Sequence, residues 1–323
     1  MPQSNSNAPI IIATRGSALA LTQSRYVQAR FQEMLPELSF KIEIFKTKGD
    51  QLQSMRPEEI PSKLPKGLFT KELETALLDG RADLAVHSLK DLPTELPAGL
   101  KIAAVSPRED VREVLLTKAP LRLAAPTENA FTQLAKQFVI ATGSPRRQAF
   151  IHRANPSLQT VPIRGNVPTR IRKLAESDEL DGIILAAAGL KRLGYQLHAD
   201  QPVSGNDVPD SIFATILPVR DMIPCVGQGA IGLETRSEDS RIEAVCQRFN
   251  DESTDVCTTT ERTFLRAMGG GCQSPIAACA TIKEDALHLI AANFGDGKTA
   301  ILEDTVPRQE GPKLAESFAN QLK

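Results

Sequence analysis

The feature that most constrains the fold of this chain is a strand–turn–helix pattern that occurs twice. Residues 10–14 are apolar and predict a buried strand, which ends in Arg15-Gly16-Ser17 before a helical stretch. Residues 138–142 predict a second strand of this kind, which ends in Gly143-Ser144-Pro145 before another helix. Serine is suited to the N-cap of that helix, and proline is suited to its first position. Strands that alternate with helices predict α/β domains with parallel strands.

A second element also recurs. Residues 83–88 and residues 181–186 each begin with aspartate and continue as a short apolar strand. A cation follows each strand, Lys90 in the first copy and Lys191 with Arg192 in the second. The two halves therefore have the same order of elements, which predicts two similar lobes that face each other across a cleft. Ligands of such sheets bind at the carboxyl ends of the strands.

The remainder of the chain predicts a smaller third domain. Residues 196–211 are rich in Pro, Gly, Asp and Asn and predict a surface loop or linker, and residues 224–232 predict a return strand. A helical stretch, three glycines at 269–271, and alternating runs at 277–282 and 286–292 follow. This order indicates a small α+β domain.

Composition argues against several functional classes. The formal net charge is -1, aromatic residues make up 4% and Trp is absent, so neither the basic field nor the stacking platforms of a nucleic-acid-binding protein are present. No apolar run reaches the roughly 20 residues that a membrane helix needs. Residues 1–9 are polar and lack the features of a secretory signal. The five cysteines, with no CxxC spacing, indicate a reducing compartment, and the four histidines show no metal-binding spacing. We expect a cytoplasmic protein with no metal, nucleic-acid or membrane partner.

Cationic residues gather at the predicted ends of strands and starts of helices. Arginine binds carboxylates through two parallel hydrogen bonds, and helix N-termini attract anions, so the set is suited to a ligand with several carboxylates. The alternative is solvated surface charge, which is the commoner fate of any single arginine. The paired arginines at the capped helix start favour binding. The set comprises Arg15, Lys66, Lys71, Lys90, Arg146, Arg147, Arg164, Arg170 and Arg192.

Two further residues have functional and structural alternatives. Asp91 follows a predicted buried strand, where a carboxylate can serve as an acid, a base or a cation stabiliser, but aspartate before a turn is also common. Cys272 follows three glycines, whose backbone lets a ligand approach closely, so its thiol could form a covalent adduct. The alternative for a free cysteine is a buried structural role, and this interpretation fits Cys246 and Cys279 better than Cys272.

Eight motifs in order resemble those of hydroxymethylbilane synthase, also called porphobilinogen deaminase, along nearly the whole chain. The matching stretches are residues 13–17 with 19–21, 66–69 with 71–74, 85–93, Ser144 with 146–148, 164–167 with 169–170, 188–193, 226–230, and 270–273 with 275–276.

The resemblance implies a fold and a domain division. The fold is α/β, with two periplasmic-binding-protein-like lobes around a cleft and a small α+β C-terminal domain. Lobe 1 would comprise residues 8–107 and 216–236 and carry the catalytic aspartate. Lobe 2 would comprise residues 108–215 and bind cofactor and substrate carboxylates, and residues 237–323 would form the C-terminal domain that carries the cofactor cysteine.

The resemblance also implies an activity. A transferase of this family, a monomer, deaminates porphobilinogen and joins four molecules head to tail on a covalent dipyrromethane primer. Hydrolysis then releases the linear tetrapyrrole hydroxymethylbilane, as a step of haem biosynthesis. The dipyrromethane would be attached to Cys272 by a thioether, and Asp91 would be the catalytic carboxylate that stabilises the azafulvene cation and relays protons. The residues implied to bind cofactor and substrate are Arg15, Ser17, Lys66, Lys90, Thr142, Ser144, Arg146, Arg147, Arg164, Arg170 and Arg192.

The chain departs from the family pattern at a few positions. Gly143 stands where a hydroxyl donor is usual, Pro145 replaces an aliphatic residue, and Val111 replaces a proline. The segment 196–211 is longer than usual. None of these changes removes a catalytic group.

Two rival functions remain for comparison. A non-catalytic two-lobed binding protein would explain the cleft and the anion sites, but it would require neither Cys272 nor a third domain. A nucleic-acid-binding protein is disfavoured by the net charge and by the scarcity of aromatic residues.

Overall fold

A computed structural model describes residues 8–47, 49, 70–121, 128–198, 201–209, 211–271, 274–295 and 300–323. The chain forms two compact units. The first comprises Met1–Arg108 and Ala230–Asp255, and the second comprises Glu109–Gly229 and Val256–Lys323.

The described helices and strands alternate along most of the chain. The strands are β1 (Ile10–Thr14), β2 (Phe40–Ile44), β3 (Leu84–Ser88), β4 (Leu100–Val105), β5 (Glu113–Thr117), β6 (Val139–Ala141), β7 (Gln159–Val161), β8 (Gly182–Ala186), β9 (Phe213–Leu217), β10 (Ile231–Arg236), β11 (Ile276–Lys283), β12 (Ala286–Asn293) and β13 (Ala300–Pro307). The α-helices are α1 (Ala18–Met34), α2 (Lys71–Leu78), α3 (Pro145–Ala154), α4 (Val167–Glu176), α5 (Ala187–Arg192), α6 (Ser240–Gln247), α7 (Glu252–Ala267) and α8 (Gly311–Leu322).

The two larger sheets have the same strand order. The first unit contains the order β2-β1-β3-β10-β4, and the second contains β7-β6-β8-β5-β9. In each sheet the first three strands are parallel, and the fourth strand runs antiparallel to both neighbours. This shared topology confirms the predicted α/β class and the predicted pair of similar lobes.

An aspartate makes the same contacts at the start of the third strand in both sheets. One carboxylate oxygen of Asp83 accepts from the backbone N–H of Ile11 at 2.8 Å, and Asp181 accepts from Val139 at 2.8 Å. The backbone N–H of each aspartate donates back to the carbonyl of the same partner, at 3.0 and 3.1 Å. The internal repeat therefore extends to individual hydrogen bonds, which satisfy polar backbone groups at the amino ends of these strands.

The core of the first unit packs helices against its sheet. Phe31 of α1 stacks on Phe40 of β2 with ring centroids 5.1 Å apart. Ile242 and Cys246 of α6 are buried in the same cluster. Helix α6 thus packs on the first sheet, whereas the sequence-based division assigned residues from 237 onwards to the C-terminal domain. The reason is that the apolar side of α6 covers aliphatic side chains of the first sheet.

The small α+β domain is a three-stranded antiparallel sheet covered by helices. Strands β11, β12 and β13 form a meander, and Phe318 of α8 packs with Leu289 on one face. On the other face, Phe294 contacts Phe150 of α3 with ring centroids 4.7 Å apart. The predicted third sheet is therefore present, and it shares a hydrophobic cluster with the lobe that contains α3.

Two segments differ in detail from the sequence-based expectations. Strand β9 pairs with β5 as far as Leu217, which pairs with Glu113, so the second lobe extends past the predicted boundary at 216. Within the predicted surface loop 196–211, Val203 is buried and its N–H donates to Ile212 at 2.7 Å. In the part of the chain that the structure describes, no helix combines the length and the apolar character needed to cross a membrane.

Candidate functional site

Two residues that were predicted to bind cofactor or substrate lie where β1 ends in the first unit. Arg15 is half-buried between β1 and α1. Ser17 is the N-cap of α1, and its hydroxyl oxygen accepts from the N–H of Ala20 at 3.3 Å. This cap aligns the helix start with the carboxyl end of the strand, where free backbone N–H groups favour an anion.

Lys90 and Asp91 lie at the end of the adjacent strand. They belong to a short 3₁₀ helix, Leu89–Asp91, that follows β3 directly. Leu89 and Leu92 are buried on either side, while Lys90 is half-buried and Asp91 is exposed. Because β1 and β3 are parallel neighbours, their carboxyl ends share one edge of the sheet. The apolar anchors thus fix the backbone at Asp91 and leave its carboxylate exposed at that edge.

A buried polar cluster lies on the strands beneath this edge. Nε2 of His87 on β3 is 3.0 Å from Oε2 of Glu234 on β10, and both side chains are buried. The other carboxylate oxygen of Glu234 has no hydrogen-bond partner among the described residues. Burial, aided by the charge of Glu234, raises the pKa of the nearby Glu74 carboxyl above its usual range.

We predict that Glu74→Gln stabilises the protein at neutral pH. A raised pKa in the folded state means that stability falls as pH rises from the unfolded pKa of about 4.3 through the folded one. Removing the ionisable group should therefore raise Tm at pH 7, and the gain should vanish below about pH 4. Thermal unfolding across this pH range measures the gain in Tm, with Glu33→Gln, at an exposed position of α1, as the control. An equal gain at all pH values would contradict the titration.

In the second unit, the turn after β6 forms a capped helix start as predicted. The hydroxyl oxygen of buried Thr142 accepts from the N–H of Ser144 at 3.2 Å. Ser144 is the N-cap of α3, with Pro145 in the first turn, and its side chain faces the N–H of Arg147 at 3.5 Å. Gly143 is exposed, and a Cβ there would be 3.4 Å from the Ile163 carbonyl.

The arginines that begin α3 share one buried carboxylate. Arg146 donates to Oε1 of Glu113 and to the carbonyl of Ile223, the latter at 2.6 Å. Arg147 donates to Oε2 of Glu113 at 2.8 Å and to the carbonyl of Ile184 at 2.7 Å. All three charged side chains are buried. Much of the hydrogen-bonding capacity that the sequence assigned to a ligand is thus directed at the protein itself.

Two further arginines flank the start of α4. Nε of half-buried Arg170 donates to the carbonyl of Gly165 at 2.7 Å, and Arg164 is exposed. Gly165 has φ +116°, and a Cβ there would lie 2.8 Å from Thr169, so glycine is required. The segment follows β7, which is parallel to β6, so both helix starts lie at the same edge of the second sheet.

Arg192 ends α5, after the third strand of the second sheet. Its Nη2 donates to the carbonyl of Gly229 at 2.6 Å. The preceding Lys191 lies 3.2 Å from both Glu109 and Asp110. Arg192 is half-buried, and these contacts hold the end of α5 in place.

Lys66, Cys272 and Gln273 lie outside the described residues. The flanking positions of the glycine-rich loop are described: the N–H of Gly271 donates to Oγ of Ser274 at 3.1 Å, and the N–H of Ser274 donates to the carbonyl of Gly271 at 2.9 Å. A Cβ on Gly270 would lie 2.6 Å from Cδ1 of Ile276, so that side chain would have to shift to accommodate it. Predicted Lys71 begins α2 and is exposed.

The structure therefore groups the predicted residues into two sets. Arg15, Ser17, Lys90 and Asp91 share the strand ends of the first sheet, and Thr142, Ser144, Arg146, Arg147, Arg164 and Arg170 share those of the second. Sequence reasoning missed Glu113. The sequence did contain an indication of its role, because Glu113 is a carboxylate at the start of the otherwise mostly apolar strand β5. That strand is buried and pairs with β8.

The second set is suited to a cofactor with several carboxylates. Two buried guanidinium groups face one buried carboxylate, and Nε of Arg147 is buried with no hydrogen-bond partner among the described residues. A buried donor and an excess positive charge both favour an anionic ligand.

Comparison with known proteins assigns the chain to a family. Residues 10–244 match the family model "Porphobilinogen deaminase, dipyromethane cofactor binding domain", and residues 256–319 match "Porphobilinogen deaminase, C-terminal domain". A porphobilinogen deaminase of Syntrophomonas wolfei is 42% identical over 316 residues, which cover 96% of this chain and 95% of the relative. That of Clostridioides difficile is 40% identical over 313 residues, 95% of each.

Solved structures resemble the chain more distantly. The solved structure "R. palustris Rpa4515 with adipate" has a TM-score of 0.40 and 13% identity, covering 75% of this chain and 81% of that one. The two family models and the full-length relatives are decisive, and this chain belongs to the porphobilinogen deaminase family.

Proposed function

We propose that this protein is a hydroxymethylbilane synthase. It joins four porphobilinogen molecules head to tail on a covalent dipyrromethane primer, and hydrolysis then releases the linear tetrapyrrole. One observation carries the proposal beyond family membership. The chain offers an exposed carboxylate next to a lysine at the strand ends of one sheet, and an arginine cluster at those of the other. The first arrangement is suited to proton transfer, and the second to binding carboxylates.

The substrate explains the number of cations. Porphobilinogen has one acetate and one propionate arm, so each added ring brings two carboxylates. Each charged hydrogen bond to such a group contributes about 1.5–3 kcal/mol. Arg164 and Arg170, with the helix start at Ser144, supply donors at one edge of the second sheet. These cations would neutralise the carboxylates of the growing chain as each ring is added.

Cofactor attachment is proposed at Cys272. The bound dipyrromethane supplies the primer to which the first substrate ring is joined. Arg146 and Arg147 would hold its carboxylates together with Thr142 and Ser144, and the glycines before Cys272 let the backbone approach the rings closely. Arg15, Ser17, Lys66 and Lys90 would bind further cofactor or substrate carboxylates, as would Arg192.

Asp91 is proposed as the acid–base residue. Loss of ammonia leaves a positive charge on the substrate, and a fixed carboxylate stabilises such a charge as it develops. The same carboxylate can transfer a proton to the leaving amine and accept one from the coupled ring. Lys90 next to it would bind a carboxylate arm and orient the ring.

The proposal includes a three-part organisation. Lobe 1 carries Asp91, lobe 2 carries the arginine cluster, and the C-terminal domain, with β11 to β13 and α8, carries Cys272. The two family models, which end at residue 244 and begin at residue 256, support a boundary between these residues. A cytoplasmic monomer completes the proposal, and analytical ultracentrifugation tests the monomer.

Incubation of the purified protein with porphobilinogen tests the function. We expect release of ammonia and formation of a linear tetrapyrrole, and an intact mass that exceeds the chain mass by the dipyrromethane. Binding without turnover would favour a non-catalytic binding protein and would refute the enzyme.

We predict that Arg147→Lys and Arg170→Lys each impair cofactor assembly or elongation although charge is kept. Lysine cannot reproduce the two-pronged contacts that Arg147 makes with Glu113 and Ile184. We expect a loss of about tenfold or more in kcat/KM, equivalent to about one charged hydrogen bond. Arg153→Lys, at the exposed end of α3, is the control. Normal cofactor assembly and elongation by Arg147→Lys would refute the need for a guanidinium group at this position.

A further inference from the structure

Glu113 has an environment that the fold alone does not require. It begins β5, where it pairs with Ala186 at the end of β8. The corresponding position of the first sheet is Ile231, which begins β10 and pairs with Ser88 at the end of β3. The same topology is therefore built with an apolar residue in one lobe and with a fully buried carboxylate in the other.

The antiparallel direction of β5 places Glu113 at the functional edge. The amino end of β5 lies beside the carboxyl end of β8, and β8 is parallel to β6, which leads into α3. From this position the carboxylate reaches both arginines, one with each oxygen. A single acidic side chain thus orients two guanidinium groups that are 33 and 34 residues further along the chain.

The contacts leave a specific donor of Arg147 for a ligand. Its Nη1 donates to the carbonyl of Ile184 and its Nη2 to Glu113. Its Nε is buried and has no hydrogen-bond partner among the described residues. In the described part of the chain the ion pairs of this cluster join two arginines to one glutamate, so a ligand carboxylate would satisfy the donor and balance the charge of these groups.

We propose that Glu113 is a positioning residue that fixes both arginines so that Nε of Arg147 faces a cofactor or substrate carboxylate. The inference rests on the proposed function. Glu113 does not contact the reacting atoms, so its loss should weaken binding and leave the chemical step of loaded molecules unchanged. A purely structural role would instead lower stability without changing KM.

The test compares Glu113→Gln, Glu113→Asp and wild type, with Glu303→Gln as a matched control at a partly exposed ion pair with Arg220. Intact mass gives the fraction of chains with the adduct, steady-state kinetics on loaded molecules separates KM from kcat, and circular dichroism reports folding. For Glu113→Gln we expect KM to rise about tenfold, or the adduct fraction to fall by at least about half, with kcat of loaded molecules unchanged. Glu113→Asp keeps the charge but shortens the reach, and should raise KM about threefold.

Unchanged KM and adduct fraction in the glutamine variant, with a lowered Tm, would overturn the inference. If that variant does not fold, Glu113→Asp decides: wild-type KM and adduct fraction in it would equally overturn the positioning role. A wild-type protein with neither adduct nor turnover would refute the proposed function itself. If the wild type has adduct and turnover, and the Glu113 variants have the same KM and adduct fraction as the wild type, only the positioning role is refuted.

Discussion

Replacing Cys272 with serine should give a folded protein without the dipyrromethane mass and without turnover. A serine hydroxyl has a far higher pKa than a thiol and is a much weaker nucleophile, so the covalent bond to the primer should not form. Without the primer there is no first ring to extend, so the expected loss of activity is complete. Intact mass spectrometry and porphobilinogen turnover measure both effects on the same sample.

The other cysteines provide the control for this prediction. Cys225 is half-buried, and Cys246, Cys257 and Cys279 are buried. Burial raises the pKa of the Cys246 thiol to about 12, which makes it a poor nucleophile. Cys225→Ser removes a half-buried thiol but leaves the proposed attachment site Cys272 unchanged, so this variant should keep the adduct. An active Cys272→Ser protein, or an adduct that remains on it, would refute the assignment.

Asp91→Asn should reduce turnover by about 10²–10⁴ without preventing folding. Asparagine has nearly the same shape but carries no charge and cannot exchange the proton that the reaction requires. The exposed position of Asp91 between buried Leu89 and Leu92 means that the change removes no core contact. Loss of electrostatic stabilisation of the substrate cation should add to the loss of acid–base catalysis. Glu at this position keeps the chemistry but moves the carboxylate by a methylene, so partial activity is expected.

The measurement must separate catalysis from assembly. Turnover is therefore compared only among molecules whose mass includes the adduct, and Asp79→Asn, which changes an exposed aspartate of the same unit, is the control. Near-normal turnover by a folded, loaded Asp91→Asn protein would contradict the catalytic role. If the variant lacks the adduct, loading it with preformed primer before the assay restores the comparison.

Local sequence determined the elements and much of the candidate site. The apolar runs predicted β1 and β3, and the serine and proline of the turn before α3 predicted its N-cap and first turn, as the structure confirms. These features depend on residues a few positions apart, so they can be predicted from a single sequence. The ordered motifs also identified the family, which the full-length relatives confirm.

Tertiary structure alone decided how distant residues are used. Glu113 binds Arg146 and Arg147 only because the register of β5 and β8 brings its carboxylate beside the start of α3. Likewise, α6 covers the first sheet, and Phe294 of the small domain packs on Phe150. Such contacts depend on strand order, direction and register, which no local pattern encodes, because they arise only when segments far apart in sequence bury a common surface.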